Sequence, residues 1–295
     1  MRDIPVPTLA LSPTHLPRGA LHRPSEQGHS ALDDASQAEE ANLNSNAKPE
    51  LEVIWAQHLD EVRAAQKLRY AIFAGEMGAR LGSPVPHHDV DRFDDYCEHL
   101  LVRDVSDSPR HGMVVGTYRL LTPVQAQRAG GLYTETEFDI SALDSLRPRM
   151  MEIGRSCVHA DYRSGAVIMA LWSAMGQFML RNQLDSLVGC ASIPMQSSGD
   201  AIHGHLAASI WRKVAQRHLA DPAWHVQAHT PLPVDKLDSS LDAEPPVLIK
   251  GYLRMGAKVL GAPAWDPDFN TADLPMLIRL DDLPGRYRKH FLGVA

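Results

Sequence analysis

Hydrophobic positions change period several times along this chain, and each change marks an element. In "ELEVIWA" (50–56), Val53 and Trp55 alternate with their neighbours, the period of a short strand. "LDEVRAAQKLRYAIFAGEM" (59–77) repeats apolar residues every three or four positions. Leu59, Val62, Leu68, Ile72 and Phe73 fall on one broad face, which predicts a helix. Gly, Pro and Asp then dominate 78–98, a loop by composition. Strands are expected at "HLLVRD" (99–104), "GMVVGTYRLLT" (112–122) and "RMMEIGRSCVH" (149–159). A helix is expected over about 166–182, a strand at "SLVGCASI" (186–193), a basic-faced helix over about 203–219 and a strand at "WHVQAHT" (224–230). A Pro- and Asp-rich excursion (231–246) leads to "VLIKGYLRMGAKVLG", "PMLIRLDD" and a terminal helix in "LPGRYRKHFL". Hairpin-like strands come first and α/β crossovers later, which predicts a mixed α/β layer rather than a doubly wound sheet.

Composition bounds this picture. Residues 1–48 are rich in Pro, Ser, Asn, Gln and acidic residues without apolar period; they are expected to form a disordered tail, leaving 49–295 as a single domain. The net charge of −7 argues against a general nucleic-acid binder. Cys97, Cys157 and Cys190 show no metal or redox spacing, so a reducing cytoplasm is expected. No apolar run approaches the roughly 20 residues of a spanning helix, and no signal peptide is evident. Any contact with the inner membrane is expected to be peripheral.

The chemically unusual stretch is "MEIGRSCVHADYRSG" (151–165), where Glu152 and Arg155 interrupt a buried strand. Residues three apart on a regular strand face opposite ways. The two share a face only if the strand bulges, which Gly154 permits. An internal salt bridge is one reading of the pair. A site is the other, and further charges favour it: Arg119 inside a strand, Arg69 one turn before Phe73 on the first helix, and Asp91 and Asp94 in "DVDRFDD". Cations and carboxylates from a helix, a loop and two strands suit a zwitterionic amine substrate.

"LRYAIF", "DRFD", "GTYRLL" and "MEIGRSCV" occur in the order and approximate spacing of the acyl-homoserine-lactone synthases, relatives of the GNAT N-acyltransferases. With "GGLYTETEFD" (130–139), "LVGCASIPM" (187–195), "LIKGYLRMGAKVLG" (248–261) and "DPDFNTAD" (266–273), the chain most resembles the bacterial ornithine-lipid N-acyltransferases, the hemolysin-like branch of that superfamily. The resemblance implies a GNAT-like fold: a mixed, mostly antiparallel sheet, split between two strands, with helices on both faces. It also implies transfer of a 3-hydroxyacyl group from acyl carrier protein to the α-amine of L-ornithine, giving a lyso-ornithine lipid, with no metal or organic cofactor beyond the acyl-phosphopantetheine co-substrate. Arg69 and Phe73 fall on the family's helix motif, Asp91 and Asp94 on its Asp-x-Phe-Asp loop, Arg119 on its strand arginine, and Glu152 and Arg155 on its Glu-x-x-Arg strand. In "YRSGAV" (162–167) only Gly165 fits the pyrophosphate-cradling loop of acetyl-CoA-using relatives, which favours a carrier-protein donor.

The expected roles follow. Glu152 is the candidate base, and Arg155 holds it or orients substrate. Arg119 or Arg69 clamps the α-carboxylate, and Asp91 or Asp94 neutralises the distal ammonium. Alternatives keep the fold with glycine, glutamine or S-adenosylmethionine as acceptor, the last for a lactone signal; a non-enzymatic lipid-binding protein is the other class. Three features are set aside. His99 and Asp104 of "HLLVRD" face opposite ways on a strand. "HHD" (87–89) and "HGH" (203–205) lack partners at ligand spacing. The stripe Met169, Trp172, Met175 and Met179 is read as core rather than an acyl tunnel. Arg212, Lys213 and Arg217, with Arg286, Arg288 and Lys289, form basic faces for an acidic carrier, an anionic lipid or solvent alone.

Overall fold

In a computed structural model of the chain, residues 49–106, 112–198 and 201–293 are described. The tail expected over 1–48 lies outside them. The main sheet is built from β1 (Leu51–Trp55), β2 (Glu98–Asp104), β3 (Met113–Leu121), β4 (Met150–Val158), β5 (Ser186–Pro194), β6 (Lys258–Val259), β7 (Ala264–Asp266) and β8 (Thr271–Arg279). Its order is β1-β2-β3-β4-β5-β8-β6, with β7 also paired to β8. Every pairing is antiparallel except β4 with β5.

Helices cover both faces. Leu171, Met175 and Met179 of α3 (Ala166–Arg181) share a core with Met151 and Ile153 of β4 and Tyr118 and Leu120 of β3. On the other face, Leu68 of α1 (Leu59–Tyr70), with Ile72 and Phe73 just beyond it, packs with Cys157 of β4. Met150 of β4 turns to a further cluster with α2 (Pro123–Ala129). The period of two along β4 is thus divided between two apolar layers. Leu59, expected on the buried face of α1, is the first residue of the helix and is 65% exposed.

α2 follows the strand expected at 112–122, and its signals are written in the sequence. Thr122 and Gln125 form a reciprocal capping box, Pro123 occupies the first turn, and Gly130 closes the helix with φ 77°. The strand expected at 224–230 shrinks to Gln227–Ala228, paired off the main sheet with Phe138–Asp139. Its neighbours instead make single bonds to the loop chain, as Val226 N–H does to the Leu260 carbonyl. No helix among the described residues is long and apolar enough to cross a membrane.

One pairing controls the cleft. β4 and β5 run parallel for only three register pairs, Met150↔Ser186 to Glu152↔Val188, and then separate. At the point of separation a Cβ on Gly189 would lie 2.3 Å from the Ile153 carbonyl oxygen, so only glycine lets the strands approach there. Gly189→Ala is expected to destabilise the fold by about 1–3 kcal/mol, measured by urea denaturation.

Candidate active site

A cavity of about 260 Å³ opens where β4 and β5 part. Glu152 and Arg155 both line it, with Phe73, Tyr118, Arg119, Tyr133, Cys190, Phe269, Asp266 and Asp273. The strand does bulge: Thr117↔Cys157 and Arg119↔Gly154 are in register, so Tyr118 faces two residues of β4. The left-handed residue is Arg155 itself (φ 48°), not Gly154. That backbone costs an L-residue about 1–2 kcal/mol, and the contacts of the guanidinium hold it there. Its Nε and Nη2 pair with Asp89 (3.2 Å) and Asp91 (3.1 Å). Its plane lies between the rings of Tyr133 and Phe269, at 4.8 and 4.9 Å.

The charges expected to surround a substrate instead bind one another. Arg69 pairs with Asp89 and Asp94, both at 2.8 Å. Arg119 reaches Asp91 at 2.6 Å and Asp94 at 3.3 Å. Taken in order, Arg69–Asp89–Arg155–Asp91–Arg119–Asp94 closes a neutral ring back on Arg69. Burial raises the Asp91 and Asp94 carboxyls, but the guanidiniums outweigh it and hold both below the ordinary range, Asp94 far below. Arg69 is fully buried, and neither it nor Asp91 nor Asp94 lines the cavity. The expectation that Arg69 clamps a carboxylate, or that Asp91 or Asp94 meets a free ammonium, does not match this geometry: their charges are already neutralised. Asp89, set aside with "HHD" as loop, is a full member of the ring.

Arg155 does not hold Glu152 either. The Glu152 carboxylate sits at the start of the 3-10 turn Tyr133–Thr136. It accepts hydrogen bonds from Tyr133 N (2.7 Å), Thr134 N (2.6 Å) and Thr134 Oγ1 (2.5 Å). Burial raises its pKa, the three donors and Arg119 oppose that, and it remains above its ordinary value. Oε2 accepts one of these bonds and keeps a lone pair. The signal for this cradle was "GLYTE", where Glu135 turns back to the Leu132 N–H.

The features set aside stay aside. His99 lies 3.0 Å from the Asp94 carbonyl, while Asp104 accepts from Ser106 and Tyr162. Burial pushes the Cys97 and Cys157 thiols up to about 12, and Cys190 is also raised by burial, so none is a ready nucleophile. Met175 and Met179 are core, yet with Trp172 they line a small apolar void that shares Ile153, Leu187, Tyr252 and Ile278 with the main cavity.

The ring makes a stability prediction. Asp94→Asn leaves two buried guanidiniums short of charge and is expected to cost about 3–5 kcal/mol, read by urea denaturation. Because Asp91 and Asp94 titrate lower folded than unfolded, their contribution is complete above about pH 4 and lost as pH falls further. The same substitution should flatten that acid limb.

Comparison with known proteins places the chain. Residues 68–173 match the model of the acetyltransferase (GNAT) domain. The L-ornithine N(alpha)-acyltransferase of Agrobacterium fabrum (strain C58 / ATCC 33970) is 36% identical over 257 residues, covering 83% of this chain and 86% of that protein. The protein of the same name from Brucella abortus (strain 2308) is 35% identical over 258 residues, covering 82% and 88%. Among solved structures, the acyl-homoserine-lactone synthase LasI is 13% identical with a TM-score of 0.45, covering 83% of this chain and 96% of that one. At the identity and coverage of its Agrobacterium and Brucella relatives, this chain, with its split GNAT sheet, belongs to the L-ornithine N(alpha)-acyltransferase family of N-acyltransferases.

Proposed function

We propose that the cleft between β4 and β5 joins a 3-hydroxyacyl thioester, carried by acyl carrier protein, to the α-amine of L-ornithine, with a lyso-ornithine lipid as product. The observation that carries this reading is the pairing, in one cavity, of a buried carboxylate cradled by backbone N–H groups with a fixed guanidinium. The relatives' name supplies the acceptor.

The polar wall receives the amino acid. Nη1 of Arg155 takes part in none of the ring's ion pairs, and the rings of Tyr133 and Phe269 fix its plane. It is the group for the substrate α-carboxylate. Glu152, directly or through one water, takes the proton from the α-ammonium, and its raised pKa suits that task. The free amine then attacks the thioester carbonyl, the C–N bond forms, and the pantetheine thiol leaves with a proton. Beyond Val188 the edge of β5 that faced β4 has no strand partner among the described residues. Its backbone groups are available to the pantetheine arm and to the developing oxyanion. The acyl chain lies toward Ile153, Leu187, Tyr252 and Ile278.

Two observations favour a carrier protein over a coenzyme with a pyrophosphate. Arg163, the one cation of "YRSGAV", pairs with Glu76 at 2.6 Å and donates to the Val158 carbonyl. Tyr162 donates to Asp104 at 2.5 Å. The loop's side chains are thus engaged away from a phosphate. Aminolysis of a thioester changes no oxidation state and Glu152 serves as the base, so the reaction we propose is written without a metal or organic cofactor. The reaction is set in the cytoplasm, with product release to the inner membrane through peripheral contact.

Incubation with a 3-hydroxyacyl carrier-protein thioester and ornithine, glycine, glutamine or S-adenosylmethionine, analysed by mass spectrometry, should give N-acylornithine as main product. Acylation of another amine in its place would redirect the assignment. Glu152→Gln should lower kcat by about 10²–10⁴-fold, with a melting curve confirming that the variant is folded. A kcat within twofold of the parent would make Glu152 purely structural.

A further inference from the structure

A second set of carboxylates stands on the cleft wall, and its chemistry is the reverse of the ring's. Glu137 follows the 3-10 turn that cradles Glu152, Asp266 ends β7, and Asp273 lies on β8 opposite Ser192. One oxygen from each lies within 4.8 Å of the others. Asp273 is only 4% exposed, and among the described residues its Oδ1 has no hydrogen-bond partner; both oxygens of Glu137 are likewise buried without one. None of the three forms an ion pair with Lys, Arg or His among the described residues, while every aspartate of the ring is paired. Burial and the charge of Asp266 push Glu137 and Asp273 up, and Asp273 raises Glu137 further. Asp266 is partly exposed and accepts N–H bonds from Asp268 and Phe269, but crowding the carboxyls of Glu137 and Asp273 against it in a buried space is unfavourable unless a cation joins them.

We propose that Glu137, Asp266 and Asp273 form the subsite for the side-chain ammonium of the acceptor, which makes the cleft selective for diamino acids. The inference rests on the acyltransfer reading and names what that reading leaves open: which group meets the distal amine. Asp266 and Asp273 line the same cavity as Glu152 and Arg155. Tyr133 joins the two ends: its ring covers Arg155, and its hydroxyl feels the charges of Glu137 and Asp266. An amino acid whose carboxylate meets Arg155 therefore extends its side chain toward the triad. A primary ammonium brings three N–H donors to three converging oxygens. Three carboxylates also suit a hard divalent ion, and the test below separates that occupant from an ammonium.

The test compares ornithine with L-norvaline, the same side-chain length without the distal amine, using a 3-hydroxyacyl carrier-protein thioester as donor. The parent should favour ornithine in kcat/KM by about 10- to 100-fold, the worth of hydrogen bonds to a charged group. Asp273→Asn and Glu137→Gln should erase most of that ratio, chiefly through the KM for ornithine. They should also raise the melting temperature of the ligand-free protein by about 2–4 °C, the shift for roughly 1 kcal/mol of relieved repulsion. Equal loss with both acceptors, or a lowered melting temperature, would mean that the triad is structural and overturns the proposal. Stoichiometric binding of Mg²⁺, Mn²⁺ or Ca²⁺ by the parent, abolished in Asp273→Asn, would replace the ammonium with a metal and overturn it too. Equal efficiency with both amino acids in the parent removes the subsite alone. Acylation of neither removes the acyltransfer reading and the subsite with it.

Discussion

Three arginines and three aspartates, alternating in a closed ring under the cleft, are the constraint on which the rest of the site depends. A charge taken out of water must be matched nearby, or the fold is lost. Here each guanidinium touches two carboxylates and each carboxylate two guanidiniums, so the set is neutral and locally satisfied. The ring ties α1, the loop after it, β3 and β4 together where β4 bulges. It also holds Arg155 in a left-handed backbone that a free strand would abandon. The Nη1 edge of Arg155, which no ion pair of the ring uses, is thereby fixed in position.

The same cleft holds two further carboxylate environments, and the contrast between the three explains a division of labour. The ring aspartates are each paired with two guanidiniums, which hold Asp91 and Asp94 below the ordinary carboxylate range. Glu152 is held by N–H and O–H donors, which orient it without neutralising it, so it keeps proton affinity and a lone pair. Among the described residues Glu137 and Asp273 have no cation beside them, and Oδ1 of Asp273 and both oxygens of Glu137 are buried without a hydrogen-bond partner. One residue type thus provides scaffold, proton acceptor and cation receptor, and the neighbours decide which. The parting of β4 from β5 supplies the space in which these environments meet, with an apolar end between α3 and the helix Val247–Arg254 for a chain of methylenes.

The elements were largely legible in the chain because local periodicity reports directly on burial. α1, α3 and the strands β1 to β5 fall close to their expected bounds. α2 was equally legible through Thr122, Pro123, Gln125 and Gly130, and was missed because the reading followed apolar period and not capping chemistry. The two-residue strand at Gln227–Ala228 was over-read, since apolar spacing does not say whether a partner strand lies alongside. The need for a bulge between Glu152 and Arg155 could be argued from a period of two.

The amino-acid order therefore settles helix and strand placement, the identity of the charged residues inside the core, and the kinship of the chain. It does not settle which charge faces which. Asp89, Asp91 and Asp94 are near neighbours in one loop, and Glu137, Asp266 and Asp273 are scattered over more than a hundred residues. Only the folded chain makes the first group a neutralised scaffold and the second an unmatched cluster. Coulomb energy and desolvation depend on separations of a few ångströms through space, and those separations have no counterpart in distance along the sequence.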